Sequence, residues 1–339
     1  MTRKRATIAE VARAANVAVS TVSRVINGGY ASEAVRQRVN EAVRALQYVP
    51  SSTARNLKKG RTGIIGVVVE SSQGAWFNQL LAGIEEHLFG KELSVAVCSL
   101  KRRSESNAGT VRSWLLEERR VDGLVFARAT ASEWPLIKLA KQRGIPIAFV
   151  APDETFELGS TFRTLNRAAG RAVAGHLLEL GHEKIAFGGG PPTSIDTQDR
   201  LSGLKEQLGK QGLEPGTISF GSDYTPKSGV QMAQAWLAAG KPTTAVVLGN
   251  DSMALGFMRR VQSEGIQIPH EVSVVGFDGI PEAELWFPSL TTAEQRTFQM
   301  GVAASESLLA RLDGKLSDEC VTHEYTTILR VRESTGPVP

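Results

Sequence analysis

Short apolar runs alternate with longer amphipathic segments along most of the chain, from Thr62 onwards. The apolar runs have the length and the β-branched composition of buried strands. They cover residues 64–69, 93–98, 123–126, 145–150, 184–187, 244–248 and 272–277. Helical patterns lie between them, for example over 78–88, 166–180 and 252–264. This alternation predicts parallel sheets with helices on both faces, and the number of units favours two similar lobes over one small sheet.

A different pattern occupies the first 48 residues, where three short helices are predicted. Thr7 and Glu10 have the T-x-x-E spacing of a capping box, which begins the first helix. Asn16 tolerates the left-handed conformation and ends that helix. A second helix is predicted over 19–26, and Ser32 can begin a third. Two helices joined by so short a turn are typical of a helix-turn-helix unit.

Charge is distributed unevenly along the chain. Residues 1–60 hold eleven Lys or Arg against three Asp or Glu, a formal charge of +8. The remaining residues hold 28 against 32, a formal charge of −4. A basic head on a mildly acidic body indicates that the head binds a polyanion.

The second helix of the head carries side chains suited to DNA. Val19, Ser20 and Arg24 are predicted to point outward, while the apolar residues pack inward. Arg24 can donate two hydrogen bonds to guanine, Ser20 can bond to several bases, and Val19 can contact a thymine methyl group. The predicted DNA-binding residues of the head, phosphate contacts included, are Thr7, Val19, Ser20, Thr21, Ser23, Arg24 and Asn27. The alternative is a three-helix packing unit with no role in DNA binding.

Several classes of protein do not fit the sequence. No apolar stretch of about 18 residues exists, so no membrane-spanning helix or membrane partner is expected, and no secretory signal is recognised. Cys98 and Cys320 are far apart and the five His are scattered, which argues against a disulfide framework, a metal site or a cofactor. Neither a nucleophile elbow nor a complete phosphate loop is present, so no catalytic residues and no enzyme are predicted. The expected location is the cytoplasm.

The head and the body together resemble the lactose-repressor family of bacterial transcriptional regulators. The resemblance is carried by ATIAEVARAANVAVSTVSRVING, YVPSSTARNLKKGRTGIIGVVV, HLLELGHEKIAF, NDSMALGFMRRVQSEG and IPHEVSVVGFDGIPEAE, and it covers roughly residues 6–328. It implies an all-α head joined to an α/β body whose two lobes resemble type I periplasmic binding proteins. The implied domains are a DNA-binding domain at 1–48, a hinge at 49–61 and an effector-binding and dimerisation domain at 62–339.

The resemblance also implies how the hinge and the lobes are arranged. The first lobe would cover about 62–163 and 292–328, and the second about 164–291. In this family the hinge helix folds on the operator, where Leu57 matches a leucine that wedges a base step open. Ala54 matches the small residue that lets two hinge helices approach closely. Ala18 and Ser51 depart from the family pattern, which usually has a capping residue and an Asn at these positions.

The cleft between the lobes is the implied effector site. The residues that match effector-contacting positions of the family are Trp76, Arg200, Tyr224, Asn250, Asp278 and Gln295. Arg200 and Asp278 could instead form a salt bridge between the lobes, and Trp76 and Tyr224 could be core residues. Asp251 is predicted to cap a helix and is left out of the site. Phe162 and Leu165 suggest a more apolar site than usual, so a sugar, a less polar, a modified and a phosphorylated ligand all stay open.

The combined prediction is a homodimeric regulator, a repressor, that binds a pseudo-palindromic operator in double-stranded DNA under the control of a small-molecule effector. Two-fold symmetry is expected because one recognition helix covers only a half-site. The alternative is a cytoplasmic binding protein for small solutes that has no specific DNA function.

Overall fold

The computed structural model describes residues 6–49, 60–70, 74–100, 113–218, 223–316 and 319–338. The chain divides into two compact units, Met1–Gly63 and Ile64–Pro339. They are called the head and the body below.

The described part of the head contains three helices, which are α1 (Ile8–Ala14), α2 (Val19–Ile26) and α3 (Glu33–Ala45). The predicted capping box is present: the Thr7 hydroxyl accepts from the Glu10 backbone N–H at 3.3 Å, and the Glu10 carboxylate accepts from the Thr7 N–H at 2.7 Å. Asn16 has φ +50° between α1 and α2, as expected for this turn. Val11, Val22 and Val39 are fully buried, so one residue from each helix forms the centre of the core.

The body contains two six-stranded sheets. The first sheet contains β1 (Ile64–Val69), β2 (Ser94–Ser99), β3 (Gly123–Ala127), β4 (Ile147–Val150), β5 (Ser160–Thr164) and β11 (Thr322–Tyr325). The second contains β6 (Ile185–Gly188), β7 (Gly216–Thr217), β8 (Ala245–Leu248), β9 (Ser273–Asp278), β10 (Thr291–Glu294) and β12 (Ile328–Arg330). All pairs are parallel except β10 with β12, which confirms the predicted two-lobed α/β fold.

Helices cover both sheets. Those of the first lobe are α4 (Ala75–Leu88), α5 (Trp134–Gln142) and α11 (Thr297–Leu312). Those of the second lobe are α6 (Asn166–Glu179), α7 (Ile195–Gly209), α8 (Pro226–Ala238), α9 (Asp251–Gln262) and α10 (Pro281–Leu285). A π-helical turn at Ser113–Glu117 and a 3-10 turn at Ala131–Glu133 complete the elements of the described residues. Among the described residues, no helix is long and apolar enough to cross a membrane.

The chain passes between the lobes three times. It crosses after β5, returns to the first lobe after β10, and crosses again between β11 and β12. The prediction placed the second crossing at 291/292, but Thr292–Glu294 still pair with β9 and β12 in the second sheet. The tail after Tyr325 also belongs to the second lobe, where the Ser334 hydroxyl donates to the Val274 carbonyl at 2.6 Å.

Close packing of α6 on α7 brings the start of both helices to the cleft. Gly203 permits it, because a Cβ at this position would collide with the carbonyl of Arg167. Asn166, the first residue of α6, and Arg200, in α7, are therefore within hydrogen-bond distance of each other.

Candidate functional site

The head presents one polar face on α2. Val19 is 45% exposed, and Ser20 and Arg24 are also exposed. Val22 and Val25 on the opposite face are buried in the core of the head. Thr21 and Ser23 are half-buried at the border between the two faces. A helix with this division can present its first turns to another surface without loss of its own core.

Thr7 and Asn27 are exposed at the ends of the first two helices. The Thr7 hydroxyl takes part in the capping box, and Asn27 Nδ2 donates to the Ser23 carbonyl at 2.8 Å. Both side chains are therefore oriented by the helix that they terminate. Ala54 and Leu57, the predicted hinge residues, lie outside the residues that the structure describes.

A cavity of about 390 Å³ lies in the body at the carboxyl ends of strands from both sheets. This is the edge of an α/β sheet at which ligands bind. The first lobe contributes Val69, Glu70, Gly74, Ala75, Trp76, Phe77, Ala127 and Arg128 to its lining. The second lobe contributes Arg200, Asp223, Tyr224, Thr225, Asn250, Ser252 and Asp278. Five of the six predicted effector residues line the cavity; Gln295 lies behind it.

Arg200 is the most constrained polar residue of the cavity. It is only 2% exposed. Its Nε donates to Asn166 Oδ1 at 2.7 Å, its Nη1 donates to the Gly249 carbonyl, and its guanidinium lies 4.7 Å from the centre of the Phe277 ring. A buried guanidinium held on three sides gives this wall of the cavity a fixed positive charge.

Asp278 lies beside Arg200 at the end of β9. Its Oδ1 accepts from Gln295 Nε2 at 2.6 Å and lies 4.0 Å from Arg200 Nη2. Burial raises the pKa of Asp278 to about 6, while Arg200 and Gln295 act in the opposite direction. The suggested salt bridge between lobes is wrong, because Arg200 and Asp278 both belong to the second lobe.

The prediction that Asp251 caps α9 is wrong, because the adjacent Asn250 caps this helix. Asn250 caps the helix, since its Oδ1 accepts from the Met253 N–H at 2.9 Å. Asp251 is fully buried and accepts from the N–H groups of Gly279 and Ile280 at 2.8 and 2.9 Å. Burial, followed by the charge of Asp278, raises the pKa of Asp251 well above its ordinary value. Asp251 therefore supports the loop after Asp278 from behind the cavity.

Gln295 connects the crossing segments. It is buried, accepts from the Thr164 hydroxyl at 2.7 Å and donates to Asp278. Thr164 ends β5 in the first lobe, whereas Asp278 ends β9 in the second. Gln295 thus positions Asp278 from the point where the chain passes between lobes.

Two aromatic residues line opposite sides of the cavity. Trp76 packs partly against the core of the first lobe, and Tyr224 packs partly against the core of the second. The Tyr224 hydroxyl lies 2.6 Å from the Thr197 hydroxyl and donates to the Ser194 hydroxyl at 3.1 Å. Each aromatic ring therefore combines a core contact with a surface that faces the cavity.

Phe162 and Leu165 do not make the cavity more apolar, contrary to the prediction. Phe162 is buried in the core of the first lobe and stacks on His323 with ring centres 4.8 Å apart. Leu165 precedes α6 and lines a separate surface depression. Strand alternation explains the error, because the side chain of a cleft-proximal residue points into the core as often as into the cleft.

Sequence reasoning missed a charged cluster that joins the lobes. Arg128 follows β3, and its Nη1 donates to Asp196 Oδ2 at 2.9 Å across the cleft. Its Nη2 lies 3.2 Å from Asp153 Oδ2, and its guanidinium lies 4.8 Å from the centre of the Tyr224 ring. Burial raises the pKa of Asp153, against the effect of Arg128. Arg128 could have been suspected from its place directly after a buried strand, but its partners are distant in sequence.

The described residues contain no cluster of three or more His, Cys, Asp or Glu suited to a metal ion. The polar groups of the cavity are carboxylates, amides, hydroxyls and guanidiniums. Such a set can bind a small polar molecule through several hydrogen bonds, with an aromatic ring against an apolar face.

Comparison with known proteins gives matches to both units. Residues 7–51 match the family described as bacterial regulatory proteins, lacI family, and residues 174–335 match the periplasmic binding protein-like domain. The chain is 32% identical over 326 residues to the HTH-type transcriptional repressor PurR of Vibrio atlanticus, which covers 96% of this chain and 97% of that protein. It is 32% identical over 331 residues to the ribose operon repressor of Halalkalibacterium halodurans, with 97% of each chain covered.

A solved structure agrees with these matches. The crystal structure of the lac repressor dimer bound to operator and the anti-inducer ONPF is similar with a TM-score of 0.86 and 28% sequence identity. The match covers 98% of this chain and 100% of that chain. The similarity therefore extends over head and body alike.

Proposed function

We propose that this chain, which belongs to the lacI family of bacterial regulatory proteins, is a homodimeric transcriptional repressor whose affinity for an operator is controlled by a small molecule in the cleft. The observation that carries this proposal is the exposed face of α2, where Val19, Ser20 and Arg24 project from a head with its own core. The relatives named above are repressors, and the function of this family is regulation, not catalysis.

The exposed face suits the major groove. A recognition helix contacts base edges with residues of its first turns, as the positions of Ser20 and Arg24 allow. Thr7, Thr21, Ser23 and Asn27 are proposed to contact phosphates or bases around it. The charge of +8 over residues 1–60 supports this orientation toward DNA. Ala54 and Leu57 are proposed as the minor-groove residues of the hinge.

The proposed organisation has three parts: the DNA-binding domain at 1–48, the hinge at 49–61 and the effector-binding and dimerisation domain at 62–339. A dimer is proposed because one recognition helix covers one half-site, and two-fold symmetry matches a pseudo-palindromic operator. The lac repressor of known structure binds its operator as a dimer. Such a regulator acts where the chromosome is, so we propose that it works in the cytoplasm.

The effector is proposed to be a small polar molecule with several hydroxyl or amide groups, bound by Trp76, Arg200, Tyr224, Asn250 and Asp278. Charged and amide groups at strand ends can bond to such a molecule from several directions, while Trp76 and Tyr224 offer flat apolar surfaces. Gln295 is proposed to contribute by positioning Asp278. A sugar or a sugar derivative fits this set, as does another small polar metabolite.

Selection of DNA fragments tests the proposal. The full chain, the Leu57→Ala and Arg24→Ala variants and a chain of residues 61–339 would each be mixed with random or genomic DNA at two salt concentrations. We expect the full chain to recover a two-fold-related site, with weaker recovery by both variants and none by 61–339. Salt should weaken the binding, because lysines and arginines release counterions from the phosphates.

Other results would count against the repressor. Retention of DNA without any selected sequence would mean a general polyanion binder. No retention at all, together with tight binding of a small solute, would favour the solute-binding alternative, since that activity needs only the body. A screen of small polar metabolites by thermal shift, with Trp76→Ala as the comparison variant, would identify the effector in either case.

A further inference from the structure

We propose that Arg128, Asp153, Ser194 and Asp196 form a clasp that holds the two lobes together independently of any effector. The four residues are called the clasp below. Arg128 and Asp153 belong to the first lobe, whereas Ser194 and Asp196 lie at the start of α7 in the second. Nothing in the proposed function requires this contact, since an effector in the cleft could join the lobes by itself.

The clasp contains several bonds across the cleft. Arg128 Nη1 donates to Asp196 Oδ2 at 2.9 Å, and Arg128 Nη2 donates to the Ser194 hydroxyl at 3.2 Å. The Ser194 hydroxyl donates in turn to Asp153 Oδ1 at 2.7 Å. A carboxylate of one lobe is therefore bound at the amino-terminal end of a helix of the other, where the helix dipole favours negative charge.

The surroundings fix each partner before the lobes meet. Arg128 has φ +56°, a conformation that a residue with a side chain rarely adopts, and its N–H donates to the Val150 carbonyl at 2.9 Å. This backbone directs the side chain away from the end of β3. In the second lobe, Asn166 Nδ2 donates to Asp196 Oδ1 at 2.8 Å and orients that carboxylate toward Arg128.

Burial strengthens the attraction between the charges of the clasp, at the cost of their hydration. The side chains of Arg128, Asp153 and Asp196 are 25%, 16% and 8% exposed. Tyr224, from the second lobe, covers the guanidinium of Arg128. Exposed ion pairs contribute little because solvent screens them, and this pair is largely removed from solvent.

The regulatory meaning of the clasp rests on the proposed function. An effector shifts a two-state equilibrium only through its different affinity for the two lobe arrangements. The clasp contributes to the free-energy difference between the two lobe arrangements, and so to their ratio before an effector binds. Arg128 is then a residue that positions the lobes and not one that selects the operator.

Hydrogen exchange of the full chain, without DNA and without effector, tests the clasp. The amides at the start of α7 are the probe, because the side chains of Ser194 and Asp196 there bond to Asp153 and Arg128 of the other lobe. In Arg128→Gln we expect peptides that span the start of α7 to exchange about fivefold faster or more, since separation of the lobes exposes these amides. Amides of β8, in the interior of the second lobe, should keep their protection. Arg120→Gln is the matched control, because Arg120 pairs with Glu118 within the first lobe.

A double-mutant cycle separates the clasp from unrelated effects. Arg128→Gln, Asp196→Asn and the double variant should accelerate exchange at the start of α7 by similar factors, because each removes the bond between Arg128 and Asp196. The proposal is wrong if exchange at the start of α7 stays unchanged in Arg128→Gln while β8 remains protected. It is also wrong if the factors of the single variants multiply in the double variant. Neither result depends on operator binding, so a failure of the clasp and a failure of the proposed function are distinguishable.

Discussion

Arg24 and Arg200 show how differently the two units use the same residue. Arg24 is exposed on α2, and its neighbours Val22 and Val25 form the core without it. Arg200 is 2% exposed and bonds to Asn166 and to the Gly249 carbonyl. The head keeps binding residues apart from its core, whereas the body builds the cavity wall from residues that also hold the second lobe together. Loss of binding and loss of stability should therefore separate in the head and coincide in the cleft.

The largest expected effect comes from Arg200→Leu. This change leaves Asp278 buried without its nearest guanidinium, removes the more distant of the two guanidiniums beside Asp196, and removes the bonds to Asn166 and Gly249. We expect the free energy of unfolding of the body to fall by about 3–5 kcal/mol, as when one partner of a buried charge network is removed. Urea unfolding of the full chain measures it, with Arg24→Leu as the matched variant. If the free energy of unfolding falls equally little in both variants, the proposed difference between head and body is wrong.

The pH dependence of stability should reveal the buried carboxylates of the cleft. The pKa of Asp278 is about 6 in the folded body, above its ordinary 3.8, so the folded protein holds this proton more tightly than the unfolded chain. Stability from this residue is greatest below about pH 4 and falls as pH rises through 6, by about 3 kcal/mol in total. Melting temperatures between pH 5 and 8 should fall less in Asp278→Asn than in the unchanged protein. Burial raises the pKa of Asp251 as well, so part of the pH dependence of stability should remain in Asp278→Asn.

Arg24→Ala should affect DNA binding alone. A bidentate bond to guanine contributes about 1–3 kcal/mol of discrimination, so we expect operator affinity to fall by about 5- to 150-fold. The urea midpoint of the full chain should stay unchanged, because Arg24 is exposed and the core of the head is formed by other residues. Binding isotherms on the selected operator and on one with a changed half-site measure the effect. A simultaneous drop in stability would show that head and cleft do not differ in the proposed way.

Ala18→Ser gives the smallest expected effect. It should change the stability of the head, whereas Arg24→Ala should change only the binding of DNA. Ala18 precedes α2 in extended conformation with φ −69° and ψ 150°, and no side chain caps the helix. A serine hydroxyl can accept from the free N–H groups of the first turn, which stabilises a helix by about 0.5–1 kcal/mol. Slower hydrogen exchange of the α2 amides in the full chain would show it. Unchanged exchange would mean that the cap is already replaced by other contacts.

Much of the fold follows from local pattern. The capping box at Thr7 and Glu10, the turn at Asn16 and the seven predicted strands all depend on residues close together in sequence. Five strands, β5, β7, β10, β11 and β12, were not predicted, because they are either rich in polar residues or only two or three residues long. Their place in the sheets, including the return of the tail to the second lobe, depends on pairing between distant segments.

The predicted site residues divide in the same way. The exposed face of α2 follows from helical spacing alone. In the cleft, the family resemblance pointed to Arg200, Tyr224, Asn250 and Asp278, but their partners were not evident. The start of α9 shows the reason: Asn250 and not the predicted Asp251 caps the helix, and only the groups around these two adjacent residues decide which of them does so.

The sequence by itself determined the basic three-helix head, the alternation of strands and helices, and the side chains that α2 exposes, since each depends on neighbours within a few residues. Only the tertiary structure decided that Arg128 meets Asp196 across the cleft, that Phe162 lies in a core, and that Asp278 is buried enough to raise its pKa. Those features depend on groups from separate strands and lobes. The spacing of residues along the chain does not indicate how far such groups are removed from water or which charges lie beside them.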